Sequence, residues 1–208
     1  MKPFAESTFL QKMRLVTQIS PETVSCLEGH LEECHFAKKE MILREGVFCR
    51  YVWLLEKGFT RHFWIVDGDE VTTSFSVEGT LIFSMDEFYY GKPSEEYAQA
   101  MEPVDAWRIK TGDLERLFCE NMELATWARI IHQNEYRRVH QSFKERLTLP
   151  AKERYRVFQE QFPEVCRRAN LGHIASYLGI TLPTLSHIRA EKQRNPGGSI
   201  KAMPGLSF

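Results

Sequence analysis

Residues 181–189 carry side chains that could read the edges of DNA bases. They belong to the stretch HIASYLGITLPTLSHIRAE, residues 173–191, in which two short helical segments flank Gly179. In a DNA-binding helix-turn-helix, the first turn of the second helix enters the major groove, where hydroxyl, methyl and basic groups meet base edges. The predicted reading set consists of Thr181, Leu182, Pro183, Thr184, Ser186, His187 and Arg189.

The corner of this motif has the residues that a tight helix-turn-helix requires. A positive φ is needed there, and Gly179 adopts it at no steric cost. Thr181 is suited to cap the second helix. Pro183 lacks a backbone N–H, but in the first turn of a helix this group would have no hydrogen-bond partner in any case. Helix-turn-helix motifs also occur as packing units that bind no DNA, so the motif by itself does not establish DNA binding. Its predicted interior consists of Ile174, Ala175, Leu178, Ile180, Leu185 and Ile188.

Charge is divided unevenly along the chain. Residues 1–136 hold 14 Lys and Arg against 23 Asp and Glu, a net charge of −9, whereas residues 137–208 hold 13 against 5, a net charge of +8. A basic C-terminal third is typical of a nucleic-acid-binding module, although such charges also solvate ordinary helix faces. Helix N-termini and basic side chains would hold phosphates, and the predicted phosphate contacts are Arg167, Arg168 and Lys192.

Upstream of the motif, the hydrophobic pattern is that of short strands. From His35 to Ile82, alternating and aromatic runs are separated by glycine turns at spacings of about 10 to 12 residues. Asp67-Gly68 is the clearest hairpin signal, since both central positions of a tight primed turn need positive φ. With two further strands at 95–101 and 104–109, the pattern predicts a small antiparallel barrel or roll.

Helical patterns surround these strands. Residues 4–19 and 21–30 have helical spacing, and the pattern returns after Thr111, a predicted N-cap, to continue to about Leu147. A helix of about 27 residues would be about 40 Å long, so it either pairs with a partner or folds back on the roll. The predicted partner-facing stripe consists of Ala128, His132, Tyr136, Val139, Phe143 and Leu147. Beyond Pro150 a basic helix is predicted to end at Pro163, and residues 193–208 are predicted to be irregular.

Several other classes of protein are disfavoured. No apolar run is long enough to span a membrane and no signal peptide begins the chain, which predicts a cytoplasmic location. The five cysteines have no metal-ligand spacing, so neither a metal nor a cofactor is predicted. His35 and His62 are isolated, which argues against a cupin-type metal enzyme, and catalytic motifs such as a P-loop are missing. The chain is predicted not to be an enzyme.

The order of these parts, with particular residues, resembles the Crp/Fnr family of bacterial transcription regulators. The resemblance rests on FAKKEMILREGVFCRYVWLLEKGFTR in the roll and on IASYLGITLPTLSHIR in the helix-turn-helix. It implies an α+β fold with an antiparallel β-roll sensor domain at 1–120, a long dimerisation helix at 121–148 and a DNA-binding domain at 149–192. It also implies a homodimer that binds double-stranded promoter DNA and works with RNA polymerase.

The chain departs from this family where cyclic nucleotides bind. Family members that bind them use a glutamate for the ribose hydroxyls and, about ten residues on, an arginine for the phosphate. In LIFSMDEFYYGKPSEEYAQAM, Phe83 and Ser84 replace the glycine and glutamate, and Ser94 and Glu95 replace the arginine and serine. A carboxylate beside a phosphate is repulsive, so cyclic AMP is predicted not to bind. The degenerate effector pocket comprises Phe83, Ser84, Met85, Lys92, Ser94 and Glu95.

Other effectors remain open. Residues 1–25 contain no cysteine cluster of the oxygen-sensing kind, whereas one His or Met would suffice as a haem ligand. The aromatic run of Phe83, Phe88, Tyr89 and Tyr90 either lines a pocket or fills the space of a nucleotide, and filling is favoured. No effector is identified. A ligand-binding signalling module with a purely structural helix-turn-helix is the alternative function, and a cupin-like enzyme is a poorer one.

The reading helix departs from the family as well. Where members that respond to cyclic AMP present arginine, glutamate and arginine, this chain has Leu182, Pro183 and His187. The usual pairing of arginine with guanine is therefore lost at these positions. We expect a different operator, read through thymine methyl groups and through DNA shape.

Overall fold

A computed structural model describes residues 1–194 and the side chains of residues 1–191. The fold is α+β, with an antiparallel β-roll followed by a long helix and four further helices, which confirms the predicted fold class. After a 3-10 turn at Phe4–Glu6, the helices are α1 (Thr8–Val16), α2 (Pro21–Glu28), α3 (Met85–Tyr90), α4 (Thr111–Glu120), α5 (Met122–Thr148), α6 (Ala151–Gln161), α7 (Pro163–Arg168), α8 (Leu171–Leu178) and α9 (Leu182–Arg194). The strands are β1 (Glu32–Phe36), β2 (Met41–Leu43), β3 (Tyr51–Lys57), β4 (Thr60–Val66), β5 (Asp69–Ser76), β6 (Leu81–Ile82), β7 (Tyr97–Ala100) and β8 (Val104–Lys110).

Two four-stranded antiparallel sheets form the roll. Their strand orders are β1-β8-β3-β6, here called sheet A, and β2-β7-β4-β5, here called sheet B. Alternate residues of β3 face opposite sides: Trp53 and Leu55 lie in the core between the sheets, and Val52 and Leu54 contact the surrounding helices. The predicted hairpin at Asp67-Gly68 joins β4 to β5 with φ of 52° and 88° at the two positions, as expected for a primed turn.

The N-terminal helices cover the outer face of sheet A. The Glu56 carboxylate of β3 accepts hydrogen bonds from the backbone N–H groups of Thr8 and Phe9, at 2.9 and 3.1 Å, and so holds the first turn of α1. The helix predicted at 4–19 is therefore a 3-10 turn followed by the shorter α1. Ser20 caps α2 as predicted, by accepting from the Thr23 N–H at 3.2 Å.

Two helical predictions in the middle of the chain needed correction. Thr111 is the first residue of α4 and does not cap it, because the cap position is Lys110. The helical pattern from Thr111 onward is also divided at Asn121, whose side chain accepts from the Leu124 N–H at 3.0 Å and begins α5. α5 then continues for 27 residues, which is the length predicted for the long helix.

The C-terminal helices form a small domain that shares its core with the roll. Pro163 does not end the helical region, since it opens the additional helix α7, which the sequence interpretation missed. Phe158 and Tyr177 of this domain contact Phe75 of β5, with ring centroids 6.4 and 5.7 Å from that of Phe75. Phe59 also lies in this cluster, so sheet B supports the helices directly. α9 includes Gln193 and Arg194, and the rest of the predicted tail lies outside the described residues.

Candidate DNA interface and effector region

The turn between α8 and α9 has the geometry that its sequence predicts. Gly179 has φ 64° and ψ 40°. The N–H of Ile180 donates to the carbonyl of Ala175 and that of Gly179 to Ser176, each at 3.0 Å, which closes α8 in a Schellman motif. The Thr181 hydroxyl accepts from the Thr184 N–H at 3.3 Å and caps α9.

One face of α9 is buried and the other is open. Leu185 and Ile188 lie in the core of the C-terminal domain, together with Ile174, Ala175 and Leu178. Arg189 is partly buried and lies near Tyr155 of α6, so it stands at the edge of the open face. The exposed residues of the predicted reading set are Thr181, Leu182, Pro183, Thr184, Ser186 and His187.

An acidic residue lies beside this face. Glu191 contacts His187 at 3.0 Å and also accepts from Lys152 of α6 at 3.0 Å. The hydrogen bond from Lys152, followed by its charge and that of His187, lowers the pKa of Glu191. Glu191 therefore remains charged at neutral pH, and its side chain contacts His187 of the predicted reading set.

The two neighbouring arginines of α7 occupy different environments. Arg167 is exposed and pairs only locally, with Glu164 on the same helix. Arg168 instead reaches the roll, where Nη1 and Nη2 donate to the Glu78 carboxylate at 2.8 and 2.9 Å, and Nε and Nη2 donate to the Glu102 carboxylate. Its side chain is 20% exposed. The prediction that Arg168 contacts phosphate is corrected for this conformation, because two roll carboxylates already hold its guanidinium. The Lys192 side chain lies outside the described residues.

Further polar contacts join α8 to β5. The Ser176 hydroxyl accepts from the Thr72 N–H at 2.9 Å and donates to the Glu70 carbonyl at 3.2 Å. Beneath α8, the Arg61 side chain is 2% exposed, pairs with the Glu70 carboxylate and lies 4.2 Å from the Phe63 ring centre. Burial, and then the charge of Arg61, lowers the pKa of His173. This domain contact is therefore built around charged groups as well as aromatic ones.

The residues of the predicted effector pocket lie in different environments. Ser84 is buried and caps α3 by accepting from the Glu87 N–H at 3.2 Å. Ser94 is buried too, and its hydroxyl donates to the Glu96 carbonyl at 2.9 Å. Met85, Lys92 and Glu95 are exposed. The predicted proximity of Glu95 to a phosphate is therefore wrong, and Lys92 places no cation inside the roll.

The carboxylate that faces the roll interior belongs to Glu96. It contacts Nδ1 of His62 at 3.3 Å and accepts from the Thr73 hydroxyl, while Nε2 of His62 contacts the Ser76 hydroxyl at 3.1 Å. Burial alone would raise the pKa of Glu96, but the hydrogen bonds from His62 and Thr73 outweigh it and lower the pKa. Glu96 therefore remains charged at neutral pH, and its partners belong to the roll itself.

The aromatic run does not fill the interior of the roll. Phe83, Phe88 and Tyr89 contact one another edge-on, with centroids 5.0 to 6.2 Å apart, over the outer face of sheet A. They line one wall of a small apolar cleft that α4 and the first half of α5 complete. Tyr90 is exposed. These aromatic side chains therefore pack between sheet A and its covering helices, and the prediction that they fill the inside of the roll is wrong.

The long helix changes environment along its length. Ala128 packs against the roll core, and His132 contacts the Tyr89 hydroxyl, so both residues meet their own chain. Further along, the same stripe is exposed and apolar. Its exposed fractions are 76% for Tyr136, 57% for Val139, 61% for Phe143 and 70% for Leu147. The alternative in which this helix folds back along its whole length therefore does not hold for its second half.

Glu96 was missed by the sequence interpretation, although a signal for it existed. In EEYAQA, positions 96, 98 and 100 share one side of a strand, and Ala98 and Ala100 are small enough to face a tightly packed core. Both alanines have no exposed surface. Strict alternation would therefore have placed Glu96, and not Glu95, on the inner side of the roll.

Within residues 1–194, no helix combines the length and apolarity needed to cross a bilayer. In the described part of the chain, no three His, Cys, Asp or Glu residues are grouped as a metal site would require. His35 pairs with Asp105 at 2.7 Å on β1 of sheet A, whereas His62 lies on β4 of sheet B and contacts Glu96. The pair of histidines that a cupin-type site needs is thus not brought together.

Comparison with known proteins supports this architecture. Residues 33–121 match the family described as the cyclic nucleotide-binding domain. No curated protein sequence matches the chain. FixK2 from Bradyrhizobium japonicum has a similar structure, with a TM-score of 0.66 and 20% identity, over 83% of this chain and 89% of FixK2.

Two further solved structures are similar to the same extent. CLP from Xanthomonas campestris, described as a c-di-GMP-responsive global regulator, has a TM-score of 0.66 and 13% identity, over 88% of this chain and 96% of CLP. A putative transcriptional regulator of the Crp/Fnr family from Eubacterium rectale has a TM-score of 0.66 and 15% identity, over 85% of each chain.

Proposed function

From the premise that this chain has the Crp/Fnr fold, with a cyclic nucleotide-binding domain at residues 33–121, we propose that it is a homodimeric, sequence-specific DNA-binding transcription regulator. It acts in the cytoplasm on double-stranded promoter DNA, together with RNA polymerase. The roll and its flanking helices (1–120) form a sensor-type domain, residues 121–148 form the dimerisation helix, and residues 149–192 bind DNA.

The observation that carries this proposal is the asymmetry of α9. Any amphipathic helix has a polar outer face, but here the first turn combines exposed hydroxyls with an apolar side chain, Leu182, that is 46% exposed. Here Leu185 and Ile188 hold α9 in the core, and the open face presents Thr181, Leu182 and Ser186 to solvent. These groups fit contacts to thymine methyls and base edges in a major groove.

DNA binding is tested by fluorescence anisotropy of the full chain with the DNA upstream of its own gene and with scrambled DNA of equal length. At moderate salt, we expect the specific site to bind at least about 1,000-fold more tightly than scrambled DNA. Equal affinity for the two DNAs would refute sequence-specific binding and favour the signalling module, whose helix-turn-helix only packs.

Leu182→Ala separates base reading from general affinity. Leu182 is 46% exposed, so its truncation should leave folding intact while it removes apolar contact with the bases. We expect a loss of affinity of about 5- to 30-fold for the specific site, about 1–2 kcal/mol, and no change for scrambled DNA.

Arg167→Met is the complementary variant. This substitution should weaken binding to both DNAs equally, and it should lower the slope of log affinity against log salt concentration by about 1 for each phosphate that is no longer neutralised. A loss that depends on the DNA sequence would contradict this role.

Cyclic AMP is expected not to be the effector. The Glu96 carboxylate faces the interior beside His62, and Lys92 is exposed, so a bound phosphate would meet a negative charge with no compensating cation from the cassette. Calorimetric titration with cyclic AMP and with cyclic GMP should give no binding heat at concentrations of about 1 mM. Saturable binding in the micromolar range would overturn this part of the proposal.

A further inference from the structure

The contact between α8 and sheet B contains a histidine that none of the sites above uses. His173 is half-buried and lies on the same face of α8 as Ser176 and Tyr177, three and four residues further along the helix. Those two residues hold α8 on β5, since Ser176 accepts from the Thr72 N–H at 2.9 Å and the ring of Tyr177 contacts that of Phe75. His173 therefore belongs to the first turn of the same contact.

A buried arginine lies in this contact. The Arg61 side chain is 2% exposed, and its Nη2 donates to the Glu70 carboxylate. Its Nε is buried without a hydrogen-bond partner among the described residues, and so are Nδ1 of His173 and Oγ1 of Thr72. Buried polar atoms that lack partners are costly, so this contact has little capacity for a further unpaired donor or a further charge.

Among the described residues, two charged groups act on His173 from the neighbouring strands. Burial is the main cause of a lowered pKa at His173, and the charge of Arg61 on β4 adds to it. Glu70 on β5 acts in the opposite direction without cancelling these effects, because its carboxylate is half-exposed and already paired with Arg61. α8 has no other charged residue. The imidazole is thus held in its neutral form beside a buried cation.

We propose that His173 makes this contact an acid-sensitive clamp, which holds α8 on β5 while the imidazole is neutral and loosens when it is protonated. An imidazolium is a donor at both nitrogens. A proton taken from solvent therefore adds a second positive charge beside Arg61, and it turns the buried Nδ1 into a donor that has no acceptor there. The change is local, because the aromatic contact of Phe75 with the C-terminal domain does not depend on this proton.

The pH range of the clamp follows from the direction of the shift. A free imidazole has a pKa of about 6.5, and the pKa of His173 in the closed contact is lower. Above about pH 6.5 the residue is neutral whether α8 is held or loose, so the clamp has its full strength. Below this value the loose form takes up the proton first, and the clamp weakens until the pH reaches the pKa of the closed form. Ordinary carboxylates titrate near about pH 4, below most of this range.

The test measures hydrogen exchange of the Thr72 N–H by NMR, in the full chain without DNA. This N–H donates to Ser176, so it is released for exchange when α8 moves away from β5. After correction for the intrinsic pH dependence of exchange, we expect its protection to fall at least about threefold between about pH 7.5 and about pH 5.5. The Ala106 N–H, in the central strand β8 of sheet A, reports global unfolding and should keep its protection within about 1.5-fold.

His173→Gln keeps a polar side chain but takes up no proton in this range, so its Thr72 protection should be equal at the two pH values. The matched control is His35→Gln, which removes an exposed imidazole from β1 of sheet A and should leave the fall at Thr72 intact. Thermal unfolding at neutral pH checks that both variants are folded. In the wild type, the imidazole resonances of His173 should titrate over the same pH range in which Thr72 loses protection, and this measurement needs no variant.

Three results would overturn the clamp: equal protection of Thr72 at the two pH values in the wild type, the same fall in His173→Gln, or an equal fall at Ala106. The clamp does not depend on DNA, whereas its effect on the reading helix rests on the proposed function. Acid should change the affinity for specific DNA at least about twofold more in the wild type than in His173→Gln. If Thr72 loses protection in acid and no DNA binds, the clamp stands and the regulator proposal fails.

Discussion

Arg168→Met should lower the free energy of unfolding of the chain by about 2–3 kcal/mol. The arginine makes charged hydrogen bonds to both Glu78 and Glu102, and these bonds connect α7 to two turns of the roll. Its removal leaves two partly buried carboxylates facing each other without a cation. Urea denaturation followed by tryptophan fluorescence and circular dichroism measures the loss.

The neighbouring arginine provides the control. Arg167→Met removes the same side chain one residue earlier, from an exposed position with one local partner, and should change the free energy of unfolding by no more than about 0.5 kcal/mol. An equal effect of the two substitutions would mean that the contact of Arg168 with the roll contributes nothing beyond ordinary helix stability.

The effect of Arg168→Met should also depend on pH. Burial raises the pKa of Glu78, but the hydrogen bonds from Arg168 outweigh it, so its pKa in the folded protein is lowered. A lowered pKa contributes stability that is present above the unfolded value, about 4.3, and is lost as the pH falls through the folded value. The difference between wild type and variant should therefore be constant near neutral pH and shrink below about pH 4. A difference that grew in acid would contradict the assigned ion pair.

Local patterns predicted the parts of the fold that depend on a few neighbouring residues. The Asp67-Gly68 hairpin and the Gly179 corner were predictable because each depends on a positive φ that few residues adopt. The long helix was predictable because its apolar stripe repeats at helical spacing. The helix α7 was missed, since Pro163 is equally suited to end one helix and to be the first residue of another.

The site was less predictable, because its charges pair over long distances. Nothing near Arg168 in the sequence indicates that it meets Glu78 and Glu102, which are 90 and 66 residues away. The alternation at 96, 98 and 100 marks Glu96 as the inward residue, but its contact with His62 depends on the register between β7 and β4, which the sequence does not show. The charge division of the chain was informative about nucleic acid as a partner, but it could not tell a phosphate contact from an ion pair between domains.

The positions of these charges also suggest how the two domains are kept together. Arg168 and Ser176 hold the C-terminal domain on sheet B through polar contacts, while Phe75 supplies the apolar contact beneath them. The roll also contributes Phe59 to the apolar core of the C-terminal domain, so polar and apolar contacts together hold this domain on sheet B.

Val139→Glu should convert the proposed homodimer to a monomer. In a two-fold dimer whose α5 helices run parallel to each other along the symmetry axis, each stripe residue lies near its own copy, so one substitution places two carboxylates in the same apolar contact. It also removes burial of two valine side chains. Together these effects should raise the dimer dissociation constant at least about 100-fold. Sedimentation velocity at about 10 μM measures the change in mass.

A substitution on the other side of α5 makes this result specific to the stripe. Asn134→Glu adds the same charge at an exposed position about 140° around the helix from Val139, and it should leave the dimer intact. Since Val139 is 57% exposed in the single chain, Val139→Glu should not change the thermal midpoint of the monomer by more than about 2 °C. We further expect the Val139→Glu protein to bind a two-fold symmetric site no better than a half-site, because a monomer brings only one reading helix to the DNA. A Val139→Glu protein that remained dimeric at 10 μM would place the interface elsewhere and leave the exposed stripe of α5 without its proposed partner.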